Sequence, residues 1–132
     1  MRMPVSPGLL GYFTLFLLFW VVLFAVYKYF FVKNLSKKPN PVYKKIYKIL
    51  RKIHPLFASA SIILGSYHGY LMLGGFRFHT GSLIIISLIY MLLTFFAGKT
   101  KNLRTKWRSF HKAGGLVTVF AIFIHYFFPW II

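Results

Sequence analysis

Two stretches of this sequence decide the fold: residues 52–73, KIHPLFASASIILGSYHGYLML, and residues 107–128, WRSFHKAGGLVTVFAIFIHYFF. Each is a long apolar segment in which two histidines stand fourteen residues apart: His54 and His68 in the first, His111 and His125 in the second. Fourteen residues of α-helix rise about 21 Å and end about 40° short of four full turns. The two histidines of a segment are therefore predicted to share a helix face, one near each side of a hydrocarbon core about 30 Å thick.

The composition is that of a membrane protein. Of the 132 residues, 58% are hydrophobic, and the apolar residues form four long stretches, at about 8–32, 55–73, 82–97 and 110–131. Such stretches are typical of transmembrane helices, although the third is near the lower limit for a span. We expect an all-α fold, an integral membrane four-helix bundle in which residues 1–132 form a single transmembrane domain.

The chain contains no aspartate, glutamate or cysteine. Carboxylate acid–base catalysis, an acidic calcium or magnesium site and a carboxylate proton relay are therefore excluded. Thiolate catalysis, iron–sulfur ligation and disulfides are excluded as well. The imidazoles are the side chains left that commonly bind transition metals.

The 17 lysines and arginines are distributed very unevenly. All except Arg2 and Arg77 lie in or beside two loops, those between spans one and two and between spans three and four. By the positive-inside rule both loops are cytoplasmic and both termini lie outside. Because these cations border membrane spans, where they set topology and meet anionic lipid, we predict a lipid bilayer as partner and no nucleic acid. The expected location is a prokaryotic cytoplasmic membrane.

Residues 41–53, PVYKKIYKILRKI, have a helical pattern of their own. Lysines fill one side of the helix, and the other side is apolar, with Val42, Ile46, Ile49, Leu50 and Ile53. We expect an amphipathic helix that lies along the cytoplasmic membrane surface before span two. The alternative is a simple cytoplasmic extension of span two.

The topology pairs the histidines of the two decisive segments. Spans two and four run in the same direction, so His54 lies beside His111 at the cytoplasmic side and His68 beside His125 toward the outer side. Two facing imidazole pairs, stacked across the membrane, predict two b-type hemes with two axial histidines each. Both helices also carry small residues between their histidines, where flat rings would need room: Ala58, Ser61 and Gly65, and Gly114, Gly115 and Thr118. Close helix packing is the alternative use of such residues.

Heme propionates would bring carboxylates to a protein that has none. Four cations flank the inner histidine pair and are candidates to bind them: Arg51, Lys52, Arg108 and Lys112. Arg77 is nearly the only cation available to an outer heme. The alternative for the inner cluster is that its charges only set the topology.

The two quoted segments resemble the heme-ligating helices of the ferric reductase-like transmembrane family, over about residues 50–127. The resemblance implies a helical bundle with two stacked b hemes, transmembrane electron transfer, and His54, His68, His111 and His125 as ligands. The chain has four spans where most members have about six, and it lacks the flavin and nicotinamide domain of the reductases. Oxidation of NADPH by this chain alone is therefore excluded.

Two classes of function are open at this point. In the first, the chain is a membrane electron conduit, the electron-transfer subunit of an oxidoreductase system. Its donor would be menaquinol or ubiquinol, so a quinone is a further candidate ligand, and its acceptor would be an outward redox protein or subunit. In the second, the chain is a non-redox membrane protein that uses the same histidines to transport metal ions or heme. Transporters commonly use a midplane site with carboxylates or broken helices, and the sequence contains neither.

His79 lies outside the paired pattern, in the outer loop GGFRFHTGS. Its first interpretation is a solvent-facing loop histidine, with Thr80 capping span three. A propionate contact is the second, and a proton acceptor for a quinol is the third.

Overall fold

The computed structural model describes residues 6–32, 41–75, 77–100 and 104–131. Several cations of the topology argument lie outside the described residues, namely Arg2, Lys33, Lys37, Lys38 and Lys101. The described residues form four α-helices and no strand: α1 (Pro7–Tyr27), α2 (Pro41–Leu73), α3 (Thr80–Ala97) and α4 (Trp107–Phe127). A π-helical turn, Lys28–Val32, continues α1. The predicted all-α fold class is confirmed.

Each of the four helices is long and apolar enough to cross a membrane. The shortest is α3, with 18 residues, which corresponds to about 27 Å of helix and is just sufficient for a hydrocarbon core. The span expected at 110–131 is displaced, because α4 begins at Trp107 and ends at Phe127. The described residues therefore provide four helices that are long and apolar enough to span a membrane.

Local signals in the sequence fix the helix ends. The Ser6 hydroxyl accepts a hydrogen bond from the Leu9 N–H at 3.2 Å, and Pro7 follows at the first helical position. At the end of α2, Gly74 has a φ of 64°, and the Gly75 N–H donates to the Tyr70 carbonyl at 3.2 Å. This is a Schellman cap, which requires a left-handed residue that only glycine adopts without strain.

The chain divides into two compact units, and the boundary lies inside α2, between Leu64 and Gly65. In the first unit, α1 and the first part of α2 meet through aromatic side chains. The rings of Phe24 and Tyr47 stack with centroids 5.6 Å apart, and the Tyr27 hydroxyl donates to the Tyr43 carbonyl at 3.2 Å. The aromatic residues of the lysine-rich segment thus hold it to α1.

The segment 41–53 is helical, and it is continuous with the rest of α2. This continuity agrees with the alternative interpretation, an extension of span two, although Pro55 lies within the helix and has no N–H to donate.

The apolar side predicted for the segment is partly buried. Leu50 is buried (6%), whereas Val42 (58%), Ile46 (38%) and Ile49 (52%) are exposed. Tyr43 and Tyr47 add contacts to the first helix by aromatic stacking. The position of this segment on the membrane surface stays a prediction.

In the second unit, α3 and α4 pack along their lengths. A Cβ atom added at Gly114 would lie 2.7 Å from Met91 Cγ, so only glycine permits this approach of the two helices. One turn later the buried Thr118 hydroxyl donates to Ser87 Oγ at 2.8 Å. Gly114 and Thr118 therefore face α3. The expectation that they leave room for flat rings is wrong at these positions, and close helix packing is their use.

Candidate histidine site

His125, near the C-terminal end of α4, is held by the first residue of α3. Its Nδ1 lies 2.8 Å from the hydroxyl oxygen of Thr80, which is fully buried. The Thr80 hydroxyl donates its proton to the Pro129 carbonyl at 3.4 Å. When that bond is made, the hydroxyl oxygen accepts from the imidazole, and the proton of His125 is then on Nδ1 and its lone pair on Nε2.

His111, fourteen residues before His125 on α4, is held in the same manner near the other end of α3. Its Nδ1 lies 3.1 Å from the Met91 carbonyl oxygen and 3.4 Å from Thr94 Oγ1. The Thr94 hydroxyl itself donates to the Met91 carbonyl at 2.8 Å. A carbonyl oxygen only accepts, so Nδ1 of His111 carries the proton and Nε2 carries the lone pair.

The two hydrogen-bonded pairs repeat with the same spacing on both helices. Thr80 and Thr94 are fourteen residues apart on α3, as His111 and His125 are on α4, and the antiparallel helices bring each threonine to one histidine. The sequence analysis did not identify Thr80 or Thr94 as hydrogen-bond partners of the histidines, although their repeated spacing was a usable signal. An imidazole whose Nδ1–H is hydrogen-bonded and whose Nε2 holds the lone pair is able to bind a metal through Nε2.

The two histidines of α2 belong to different units. In the first unit, the ring of the half-buried His54 packs on Phe24, with centroids 4.9 Å apart. In the second unit, His68 is half-buried. The pairing of His68 with His125 and the pairing of His54 with His111 both stay predictions.

The first interpretation of His79, a solvent-facing loop residue followed by a capping Thr80, is wrong. His79 itself is the N-cap residue of α3 and is half-buried. Its Nδ1 lies 3.0 Å from the Arg77 carbonyl oxygen, and its ring centroid lies 6.0 Å from that of His125. Thr80 is turned inward, because its hydroxyl pairs with His125 and the Pro129 carbonyl.

The cations proposed for propionates are all exposed: Arg51, Lys52, Arg77, Arg108 and Lys112. The guanidinium of Arg108 lies over the Trp107 ring, 5.8 Å from its centroid. Side chains in these positions are available to anionic groups, and their role toward propionates stays a prediction.

The described residues contain no group of three or more His, Cys, Asp or Glu side chains that could hold a metal ion. A tetrahedral zinc site needs at least three protein ligands. A heme iron needs only two, because the macrocycle supplies the other four.

No protein-family model, curated protein or solved structure matches this chain. The function must therefore be argued from the residues and their geometry.

Proposed function

We propose that this chain is a membrane b-type cytochrome, which holds two hemes through four axial histidines and carries electrons across the membrane. The observation that supports it best is the pair of equivalent hydrogen bonds from α3 to α4. Thr80 fixes Nδ1 of His125, and the Met91 carbonyl with Thr94 fixes Nδ1 of His111. Both imidazoles of α4 are thereby fixed in the ligating tautomer, one near each end of the helix.

The protein's part in this function is to bind and orient. His111 with His54 would hold the inner heme, and His125 with His68 the outer one. Heme b supplies reversible one-electron chemistry. The acceptors on α3 stop the imidazole rings from rotating, and a hydrogen-bonded Nδ1–H makes Nε2 a stronger donor to iron. The resemblance to the ferric reductase-like family supports the same ligand set.

The orientation follows from the charges. With both termini outside, the basic loops face the cytoplasm of a prokaryotic cell, and His54 and His111 lie at that side. The amphipathic part of α2 would then sit at the cytoplasmic membrane surface, where its lysines meet anionic headgroups. Menaquinol or ubiquinol is the proposed donor, and an outward redox protein or subunit the proposed acceptor.

Spectroscopy of the purified protein tests the proposal. We expect low-spin b-type absorption bands that dithionite reduces, and two low-spin signals in electron paramagnetic resonance. His111→Ala and His125→Ala should each convert a different one of these centres to the high-spin form, because each loses one axial nitrogen. Phe120→Ala, on the exposed face of the same helix, is the matched control and should leave both centres unchanged. A colourless, folded protein that binds zinc would refute the cytochrome and favour a transporter.

A further inference from the structure

We propose that the α3–α4 pair carries a binding site for an anionic phospholipid, in which Lys99 and Arg108 bind the lipid phosphate and neighbouring aromatic rings contact the acyl chains. The site lies at the end of the pair where α3 ends and α4 begins. It does not depend on the cytochrome function, and it assigns a partner to a surface that the histidine pattern does not use.

The ring of Trp107 organises this end of the pair. A Cβ atom added at Gly98, the C-cap residue of α3, would overlap that ring, so glycine allows the ring to lie directly on the backbone. Phe95 packs against the same ring edge to face, with centroids 6.0 Å apart and planes at 78°. Trp107 therefore joins the first turn of α4 to the last turn of α3 and fixes the backbone from which two cations extend.

These two cations lie over aromatic rings. The Lys99 ammonium is 5.3 Å from the ring centroid of Phe95 and 5.2 Å from that of Phe96. The Arg108 guanidinium is 5.8 Å from the centroid of Trp107. Contacts within about 6 Å are attractive. An ammonium has three N–H donors and a guanidinium five, so each cation keeps donors for an anion while it contacts a ring.

The anion must come from another molecule. The chain contains no aspartate or glutamate, so no acidic side chain can neutralise these cations. Lys99 and Arg108 are exposed, as are three further cations close to them in the sequence, Arg104, Lys106 and Lys112. Phosphate oxygens suit such a group, because a guanidinium binds phosphate through two parallel hydrogen bonds and an ammonium binds it as a point charge.

The depth of the site in the bilayer selects a lipid as the source of that phosphate. The 18 residues of α3 correspond to about 27 Å of helix, so α3 ends close to the boundary of a hydrocarbon core about 30 Å thick. Lys99 and Arg108 lie within two residues of the helix ends, at the level of a headgroup region about 5 to 7 Å deep. Phe95 (37%) and Phe96 (53%) are exposed beside them. A phospholipid offers a phosphate to the cations and acyl chains to the rings, whereas a free phosphate ion would contact the cations alone.

Photo-crosslinking of the full-length protein in phosphatidylcholine nanodiscs tests the proposal. Phosphatidylglycerol with a photo-reactive group near its headgroup should crosslink to Phe95, Phe96 or Trp107, as mapped by mass spectrometry. Unlabelled phosphatidylglycerol should compete, and phosphatidylcholine should not. A basic residue near the membrane surface contributes about a fivefold preference for anionic lipid. Lys99→Gln/Arg108→Gln should therefore raise the lipid fraction needed for half-maximal crosslinking at these residues roughly 25-fold.

Lys45→Gln/Lys48→Gln is the matched control, because it removes the same charge from exposed positions on α2 and should leave this crosslink unchanged. Lys99→Arg/Arg108→Lys keeps the charge and should also retain it, which distinguishes a lost charge from a lost fold. Equal competition by the two unlabelled lipids would overturn the proposal and favour an acidic protein as the partner. An equal loss in both glutamine variants would overturn it in favour of overall charge, and displacement of the lipid by excess inorganic phosphate would overturn it in favour of a site for the free ion.

Discussion

The hydrogen bond between His125 and Thr80 can be removed by one substitution at Thr80. Thr80→Val keeps the shape of a fully buried side chain but removes its hydroxyl. The Nδ1–H of His125 then loses its acceptor at 2.8 Å, and the Pro129 carbonyl loses its donor. The substitution changes no proposed ligand and lies at the outer site alone.

The size of the effect follows from the lost hydrogen bond. A buried donor left without an acceptor costs about 1–3 kcal/mol, and loss of the hydrogen-bond partner of a metal-binding imidazole weakens metal binding by roughly 10- to 100-fold. We therefore expect the affinity of the outer site for heme to fall roughly 10- to 100-fold, as measured by heme transfer to a competing apo-heme-binding protein. Its midpoint potential should rise, because a weaker imidazole donor stabilises ferric iron less. For one electron, each tenfold change in the ratio of the affinities for ferric and ferrous heme shifts the midpoint potential by about 59 mV.

The measurement is heme transfer followed by absorption, together with a redox titration that resolves the two centres. Thr118→Val is the matched control. It also removes a buried threonine hydroxyl between the same two helices, but that hydroxyl is bonded to Ser87 rather than to a histidine. It should lower the stability of the α3–α4 pair and leave both potentials unchanged. Thr80→Ser should restore the wild-type outer centre. If Thr80→Val and Thr118→Val behave alike, or if Thr80→Val changes the inner centre, the argument from the hydrogen bond fails.

Three further outcomes are expected. A pyridine hemochrome assay with protein quantification should approach two hemes per chain, and a reproducible value of one or less in folded protein would contradict the two pairs. Because the chain contains no cysteine, single replacements can report sidedness: Asn102→Cys should be protected from a membrane-impermeant thiol reagent in intact cells, and Gly75→Cys should react; the reverse pattern would overturn the orientation. Gly114→Ala should destabilise the protein by about 1–3 kcal/mol in a thermal or denaturant melt, because the added Cβ lies 2.7 Å from Met91 Cγ. Gly115→Ala, whose added Cβ lies 3.7 Å from Met91 Sδ, should change stability little, and equal effects of the two variants would show that α3 and α4 do not pack as described.

The membrane electron path proposed here depends on two kinds of spacing. Fourteen residues on α4 separate His111 from His125, and fourteen on α3 separate the threonines that hold them. A membrane helix pair needs repeated small and polar residues to pack closely, and the same repeat places acceptors beside the imidazoles. The packing of α3 on α4 and the orientation of the proposed ligands on α4 therefore come from one set of contacts.

The sequence by itself determined the number and type of the elements. Long apolar stretches and the absence of acidic residues predict four membrane helices, because hydropathy and helix length are local properties of the chain. The fourteen-residue spacing also places His111 and His125 on one helix face without any tertiary information. The ends of the fourth span were predicted less well. The Trp107 ring packs against Gly98, and this contact between two segments accompanies the earlier start of α4.

Only the tertiary structure decided what the small and polar side chains contact. A glycine such as Gly114 is compatible with a flat ring or with a neighbouring helix, and the choice depends on where α3 lies. The inward turn of Thr80 and the position of His79 beside His125 likewise depend on contacts between residues 45 or more positions apart in the chain. Hydropathy and spacing describe single helices, and hydrogen bonds between helices become visible only when the helices are placed side by side.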